Sequence, residues 1–180
     1  SLGLVGSEMC IRDRKKADAV ITDIPRLPIG ILTADCAPIL IFDKQKKMVA
    51  AIHAGWKGAY KGIISKVINF MIKKGCEKKN MIAVIGPCIA QKSYNVKEDF
   101  KRKFLKKDKR NKVFFRKRKN LIYFDLSKYV KLQLKLMKIT NLETINIDTF
   151  PKKNNFFSAR RSLHLNHDDY GRNISLIMIN

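Results

Sequence analysis

The sequence predicts an α/β fold, a layered mixed β-sheet core with flanking helices, organised as one domain. Three observations predict it. From Ala17 onward, β-branched apolar runs alternate with amphipathic stretches; the connections are short and carry Pro, Gly or Lys-rich turns; and no internal repeat or Gly/Ser linker divides the chain.

The elements follow in order. "ADAVITD" is a short strand, and after Pro25 and Pro28 the segments "IGILTAD" and "APILIFD" are apolar and β-branched enough for buried strands. "DKQKK" makes a polar turn into "MVAAIHA", which predicts a hairpin. Pairing Asp43 with Lys46 sets Cys36 opposite His53 on one face, whereas a one-residue slip would separate them. Gly58 opens a helix in which Ile63, Ile64, Val67, Ile68, Met71 and Ile72 share a face, ending at Gly75. "MIAVIGPCI" is a strand running into a Gly-Pro turn. Residues 98–119 are strongly basic with scattered Phe, and read as a helix and an exposed loop. "FDLSKYVKLQLKLMKI" is a further helix with Ser127 as its cap, and "TINIDTF" and "NISLIMI" are strands separated by the polar loop "SARRSLHLNHDDYGR".

Composition bounds the function. In 180 residues, 46% of them hydrophobic, a sizeable core is affordable and disorder is not the default. The 38 Lys and Arg against 15 Asp and Glu give a net charge of +23, which attracts polyanions. Lys, Ile and Asn are abundant along the whole chain, so the charge reads as compositional bias and no dedicated nucleic-acid partner is expected. The first fourteen residues, "SLGLVGSEMCIRDR", fit neither a strand nor a helix period and read as translated sequencing adapter; they are set aside, leaving a single domain over residues 15–180. Cys36, Cys76 and Cys88 then form an odd set without a signal peptide, as expected of free thiols in the cytoplasm. Asp35 interrupts the longest apolar run, so no segment reaches the ~18–20 residues of a membrane span.

Cys36 and His53 are the first candidates for chemistry. A thiolate and an imidazole are zinc ligands, and equally a nucleophile with its base; the alternative is a buried small Cys and a hydrogen-bonded core His. Asp35 is either an acid/base beside the thiol or a structural carboxylate. Trp56 either stacks on a purine or covers a strand end. Gly86, at the turn before Pro87, is placed to offer a backbone N–H to a ligand, while Cys88 reads as a buried thiol. Arg160 is open between phosphate binding and structure, and Arg161 and Arg172 read as structural, with Asp168 and Asp169 as nearby ion-pair partners.

"ADAVITD", "TADCAPILIFD", "AAIHAGWKG", "IGPCI", "SYNV" and "FFSARRS" with "DYGRNIS" give residues 17–179 a close resemblance to the laccase-domain family. That family was first called multicopper polyphenol oxidase. It is now described as purine nucleoside phosphorylases with adenosine deaminase activity, and some bacterial members are named peptidoglycan editing factor. The resemblance implies a fold of the YfiH-like cysteine-hydrolase type, incomplete at the N-terminus, acting on purine nucleosides and phosphate. It also implies a metal, zinc rather than copper, held by Cys36, His53 and a third His from an upstream Q-V-H type segment that has no counterpart here. His164 and His167 lie where the family pattern places no ligand. Asn95, where the family commonly has Glu, and Ala159, before the Arg pair, depart from the pattern and bear on substrate preference.

Two rivals share these residues. One keeps Cys36 and His53 as a metal-free hydrolase dyad. The other is a basic nucleic-acid-binding module over "KRKFLKKDKRNKVFFRKRK", with Phe104, Phe114 and Phe115 stacking on bases. Oligomeric state is not legible.

Overall fold

The computed structural model describes residues 2–5, 17–167 and 169–180. Its centre is the hairpin of β4 (Ala37–Asp43) and β5 (Met48–Ala54). With β1 (Leu2–Val5), β2 (Ala19–Thr22), β6 (Met81–Ile85) and β10 (Asn141–Thr144) it forms a six-stranded sheet in the order β1-β2-β5-β4-β6-β10. β10 runs parallel to β6 and the other neighbours are antiparallel, so the sheet is mixed. The fold is α/β, as the sequence predicts.

β5 explains why the sheet has two covered faces. Met48, Ala50, Ile52 and Ala54 join the main core, while Val49 and Ala51 pack on the other side against Ile29, Ile31 and Ile179. A strand buried on both faces needs a continuous apolar run, and "MVAAI" is one. The second face is closed by a ribbon of β3 (Ile29–Thr33) and β11 (Asn173–Ile177), paired antiparallel.

The main core is closed by α2 (Ile63–Lys73) and α4 (Leu126–Leu136), together with an aromatic cluster from α3 (Glu98–Lys107) and a three-stranded sheet of β7 (Asn95–Val96), β9 (Leu121–Phe124) and β8 (Phe115–Arg118). Phe104 lies 4.7 Å from Phe100, 4.8 Å from Phe124 and 5.2 Å from Tyr129, centroid to centroid. Phe104 and Phe114 are fully buried and Phe115 is half-buried in the same cluster. The aromatics of the basic segment are therefore core, not a stacking platform for bases, because each ring finds other rings inside the protein.

Several expectations are corrected. The hairpin pairs Asp43 with Met48 and Pro38 with His53, because the Asp43 carboxylate accepts from Gln45 N and Lys46 N at 3.0 and 2.8 Å and holds four residues in the turn. That shift of two residues keeps Cys36 on the same face as His53 without placing it directly opposite. The single helix from Gly58 is two, α1 (Trp56–Tyr60) and α2, broken by the left-handed Gly62 at φ +82°. The cap of α4 is Asp125, accepting from Lys128 N at 2.9 Å, rather than Ser127. The strand expected over "TINIDTF" lies earlier, because Asp148 anchors the following chain by accepting from Ala90 N, Phe150 N and Ser93 Oγ. Within the expected loop 158–172, Ser158 caps a short helix, α5 (Ala159–His164). The exposed loop expected in 98–119 contains β8, whose turn to β9 uses positive φ at Lys119 and Asn120.

Of the segment 1–14, only Leu2–Val5 lies among the described residues, where it pairs with β2. Pairing at a sheet edge is made between backbones, so it requires no strand period in the sequence. Cys10 lies outside the described residues. No helix among them is long and apolar enough to cross a membrane.

Candidate functional site

Cys36 stands just before β4 and His53 near the end of β5, on the sheet face shared with the β3–β11 ribbon. Their side chains converge on Gly55. A Cβ placed there would lie 2.9 Å from Cys36 Sγ and 3.7 Å from His53 Nε2, so the absent side chain of Gly55 leaves a cradle between sulfur and imidazole. The His53 backbone N–H donates to Asp18 O at 2.7 Å, and Nδ1 is buried without a hydrogen-bond partner.

Burial, reinforced by the charges of Asp35 and Asp18, pushes the Cys36 thiol up to about 12. Burial lowers the His53 value, opposed by Asp18. Without a cation, therefore, the pair is a neutral thiol and a neutral imidazole, which is the wrong starting state for a Cys/His nucleophile dyad. The same groups suit a soft cation: sulfur and imidazole are zinc or copper donors, and Cys36 Sγ and His53 Nε2 face one small cradle. The described residues supply these two donors, and no cluster of three His, Cys, Asp or Glu able to hold a metal occurs among them.

Asp35 sits beside the thiol at φ +78° and is 8% exposed. Its Oδ1 accepts from Thr149 Oγ1 at 2.7 Å, and its Oδ2 from Ser158 Oγ at 2.9 Å and Arg160 N at 2.7 Å. Its carbonyl accepts from Ile89 N at 3.0 Å. Asp35 thus ties the turn before β4 to the loop after β6 and to the start of α5, and its carboxylate is engaged as a structural anchor.

Next to this centre opens a cavity of about 730 Å³ lined by Trp56, Tyr94, Asn95, Phe100, Leu121 and Arg160, among others. Trp56 follows Gly55 directly and packs edge-on against Phe100 with centroids 4.9 Å apart. Arg160 lies over the Tyr94 ring at 5.2 Å and donates through Nη1 to the Asn95 carbonyl at 2.9 Å and to Asn95 Oδ1. Burial raises the Tyr94 phenol above its ordinary value, with the Arg160 charge opposing.

The remaining candidates separate cleanly. The Gly86 N–H, expected to face a ligand, donates instead to Pro38 O at 2.8 Å, and a Cβ there would meet Pro38 Cγ at 2.8 Å, so glycine is required by close packing. Arg161 donates to the carbonyls of Thr149, Phe150 and Phe156, and Arg172 to that of Tyr170. His164 and His167 are exposed, and His164 packs against Phe150. Cys88 is buried and its thiol pushed up to about 12, burial being the main cause. Asp169 accepts from Tyr170 N at 2.6 Å, and Asp168 lies outside the described residues. Sequence reasoning missed Asp18, whose charge acts on both Cys36 and His53; the strand "ADAVITD" pairing with β5 was the available signal. It also missed Tyr94, Thr149 and Ser158.

Residues 5–180 match the family described as multi-copper polyphenol oxidoreductase laccase. A protein of Rickettsia conorii named purine nucleoside phosphorylase is 39% identical over 173 residues, which cover 95% of this chain and 71% of the relative. One of the same name from Haemophilus influenzae is 32% identical over 149 residues, 81% of this chain and 60% of the relative. Two crystal structures superpose with a TM-score of 0.80 and 28% identity over 92% of this chain: a Neisseria meningitidis protein, of which 65% is covered, and the hypothetical protein YfiH of Bacillus licheniformis, of which 62% is covered. The chain thus spans about 60 to 71% of the length of these relatives. With this match over residues 5–180 and the Rickettsia conorii relative covered over most of its length, the chain belongs to the laccase-like multi-copper polyphenol oxidoreductase family.

Proposed function

We propose that the protein is a purine nucleoside phosphorylase whose Cys36 and His53 hold a zinc ion together with a ligand outside the described residues. Adenosine, inosine and S-methyl-5'-thioadenosine are its substrates, yielding base and the corresponding ribose 1-phosphate, which keeps the 5-methylthio group in the last case, and adenosine is also deaminated by water in the same pocket with release of ammonia. The reading draws on the names of the relatives. The observation that carries it is the convergence of Cys36 Sγ and His53 Nε2 on the Gly55 cradle beside a cavity walled by Trp56, Tyr94 and Arg160.

A bound zinc ion supplies Lewis-acid polarisation at that cradle. The chain's own residues do the rest. Trp56 and Tyr94 offer aromatic faces to a purine, and Arg160 offers guanidinium N–H donors to phosphate. In phosphorolysis a phosphate oxygen bonds to the anomeric carbon as its bond to the purine nitrogen breaks, and the electron pair leaves with the base, which takes up a proton. Holding both reactants in one cavity turns their encounter into an intramolecular one. Asp35 acts as a positioning residue, since it fixes the backbone of Arg160 next to the Cys36 turn.

The test is phosphate-dependent release of base and ribose 1-phosphate from adenosine by the purified, zinc-supplemented chain. Release that disappears in Cys36→Ser and His53→Ala, both still folded, is expected. No release from a chain carrying about one zinc, or release unchanged in both variants, overturns the reading.

A further inference from the structure

We propose that the groove between β8 and the start of α4 is a second binding site, built for a nucleoside polyphosphate. It is independent of the proposed phosphorolysis, and none of its lining residues belongs to the Gly55 cradle or to the Trp56 cavity.

The groove consists of two cavities that meet at Gln91. The first, of about 130 Å³, is lined by Lys92, Arg116, Arg118 and Tyr123. The second, of about 260 Å³, runs from Gln91 past Lys128 and Lys131 to Ile145, Asn146 and Ile147. Local structure explains why the cations converge. Residues two apart on a strand share a face, so Arg116 and Arg118 of β8 stand together, and the register sets Tyr123 of β9 opposite Arg116. Lys128 and Lys131 are one turn apart on α4. Gln91 Nε2 and Asp125 N both donate to Phe114 O, at 3.1 and 2.9 Å, while Asp148 accepts from Ala90 N at 3.1 Å and from Ser93 Oγ at 2.7 Å. These bonds stitch the turn at residues 91–93 to β8, to α4 and to the loop after β10, so the walls are in place before a ligand arrives.

Cations are common all over this chain, but in a cleft their fields add. Among the described residues no carboxylate forms an ion pair with Lys92, Arg116, Arg118, Lys128 or Lys131. Asp125 is the acid on the groove wall, and its carboxylate caps α4 by accepting from Lys128 N. Five cations facing one engaged carboxylate suit a ligand with several negative charges rather than a single phosphate. The far end has a different chemistry. Ile145 and Ile147 are exposed there, and the Asn146 amide between them makes no hydrogen bond among the described residues. Apolar side chains suit the face of a base, and a carboxamide offers both a donor and an acceptor to its edge. A ligand that is polyanionic at one end and a hydrogen-bonding ring at the other is a nucleotide, whereas a bare polyanion would leave these groups unused.

The test is binding of ATP and of inorganic triphosphate to the full chain, by titration calorimetry at fixed ionic strength without divalent cations. Two double variants remove the same charge: Arg116→Gln with Arg118→Gln in the groove, and Arg102→Gln with Lys106→Gln at exposed positions of α3 outside both cavities. The wild-type chain is expected to bind ATP at least about tenfold more tightly than triphosphate. The groove pair should lose at least about tenfold in ATP affinity and the α3 pair less than about twofold, with unfolding midpoints retained in both. Asn146→Ala should weaken ATP and leave triphosphate unchanged. No ATP binding, equal losses in the two pairs, or triphosphate bound as tightly as ATP overturns the site. ATP affinity that survives in the groove pair also overturns it, by placing the nucleotide elsewhere on the chain. An RNA homopolymer that binds where ATP does not would make the groove a nucleic-acid surface and sink the nucleotide assignment.

Discussion

Replacing Asp35 tests whether the site is organised around one carboxylate. In Asp35→Ala, Thr149 Oγ1, Ser158 Oγ and Arg160 N all lose their acceptor, and Thr149 and Ser158 are 1% and 2% exposed, so water does not substitute freely. Hydrogen bonds to a charged group contribute about 1.5–3 kcal/mol each, and the two hydroxyls can rotate to other acceptors, so the combined loss is about 4 kcal/mol. Alanine at φ +78° adds roughly 1 kcal/mol of backbone strain. Asp35→Asn should behave differently. Its amide oxygen can take the Oδ2 position and keep Ser158 and Arg160, while its NH₂ faces Thr149 Oγ1, a hydroxyl that can turn to accept; Asn also tolerates the left-handed region. The loss is then about 1–2 kcal/mol, that of charge alone. Urea denaturation followed by circular dichroism reads both, and a melt should fall by roughly 10 °C or more for Ala and by about 3–6 °C for Asn. Equal losses in the two variants, or a loss under about 1 kcal/mol in Ala, would refute the idea that this carboxylate holds the three segments together.

Two further outcomes follow from the same geometry. Gly55→Ala puts a methyl 2.9 Å from Cys36 Sγ, inside the cradle, so zinc retention should fall by at least about tenfold while circular dichroism stays that of the folded chain; unchanged zinc content would show that the cation does not sit there. Burial, helped by Asp43, pushes the Cys76 thiol up to about 12 from an ordinary 9.0. Below that ordinary value both folded and unfolded chains keep the proton and stability is unaffected. Between about pH 9 and about pH 12 only the unfolded chain releases it, so stability falls as pH rises, and Cys76→Ala should weaken this fall between denaturation midpoints measured at about pH 8 and about pH 10.5.

What was legible in the sequence was local. β4 and β5 have the boundaries that the apolar runs mark, and Gly75, at φ +91°, ends α2 as a helix-terminating glycine should. The pair Cys36 and His53 was also legible, because sheet parity survives an error of two residues in register and fails only for an odd slip. The β8–β9 turn was not, since Lys119 at positive φ carries no turn signal of its own. The Asp35 network was invisible for another reason: its partners lie more than a hundred residues away and meet it only once α5 and the loop after β10 close on the sheet.

The opposite fates of Arg160 and Arg161 show why the helical conformation of α5 matters. A single "RR" gives no way to tell which guanidinium serves a ligand, and in an irregular loop both would be free to reorient. Ser158 removes that freedom by capping the helix through Arg161 N while donating its hydroxyl to Asp35. Consecutive helical residues then point about 100° apart, so fixing one fixes the other. Arg161 turns inward to the carbonyls of Thr149, Phe150 and Phe156, which leaves Arg160 on the cavity wall with Tyr94 and Asn95. The cap, the anchor at Asp35 and the cation on the cavity wall therefore form one unit. A change at Ser158 should move Arg160 without touching it.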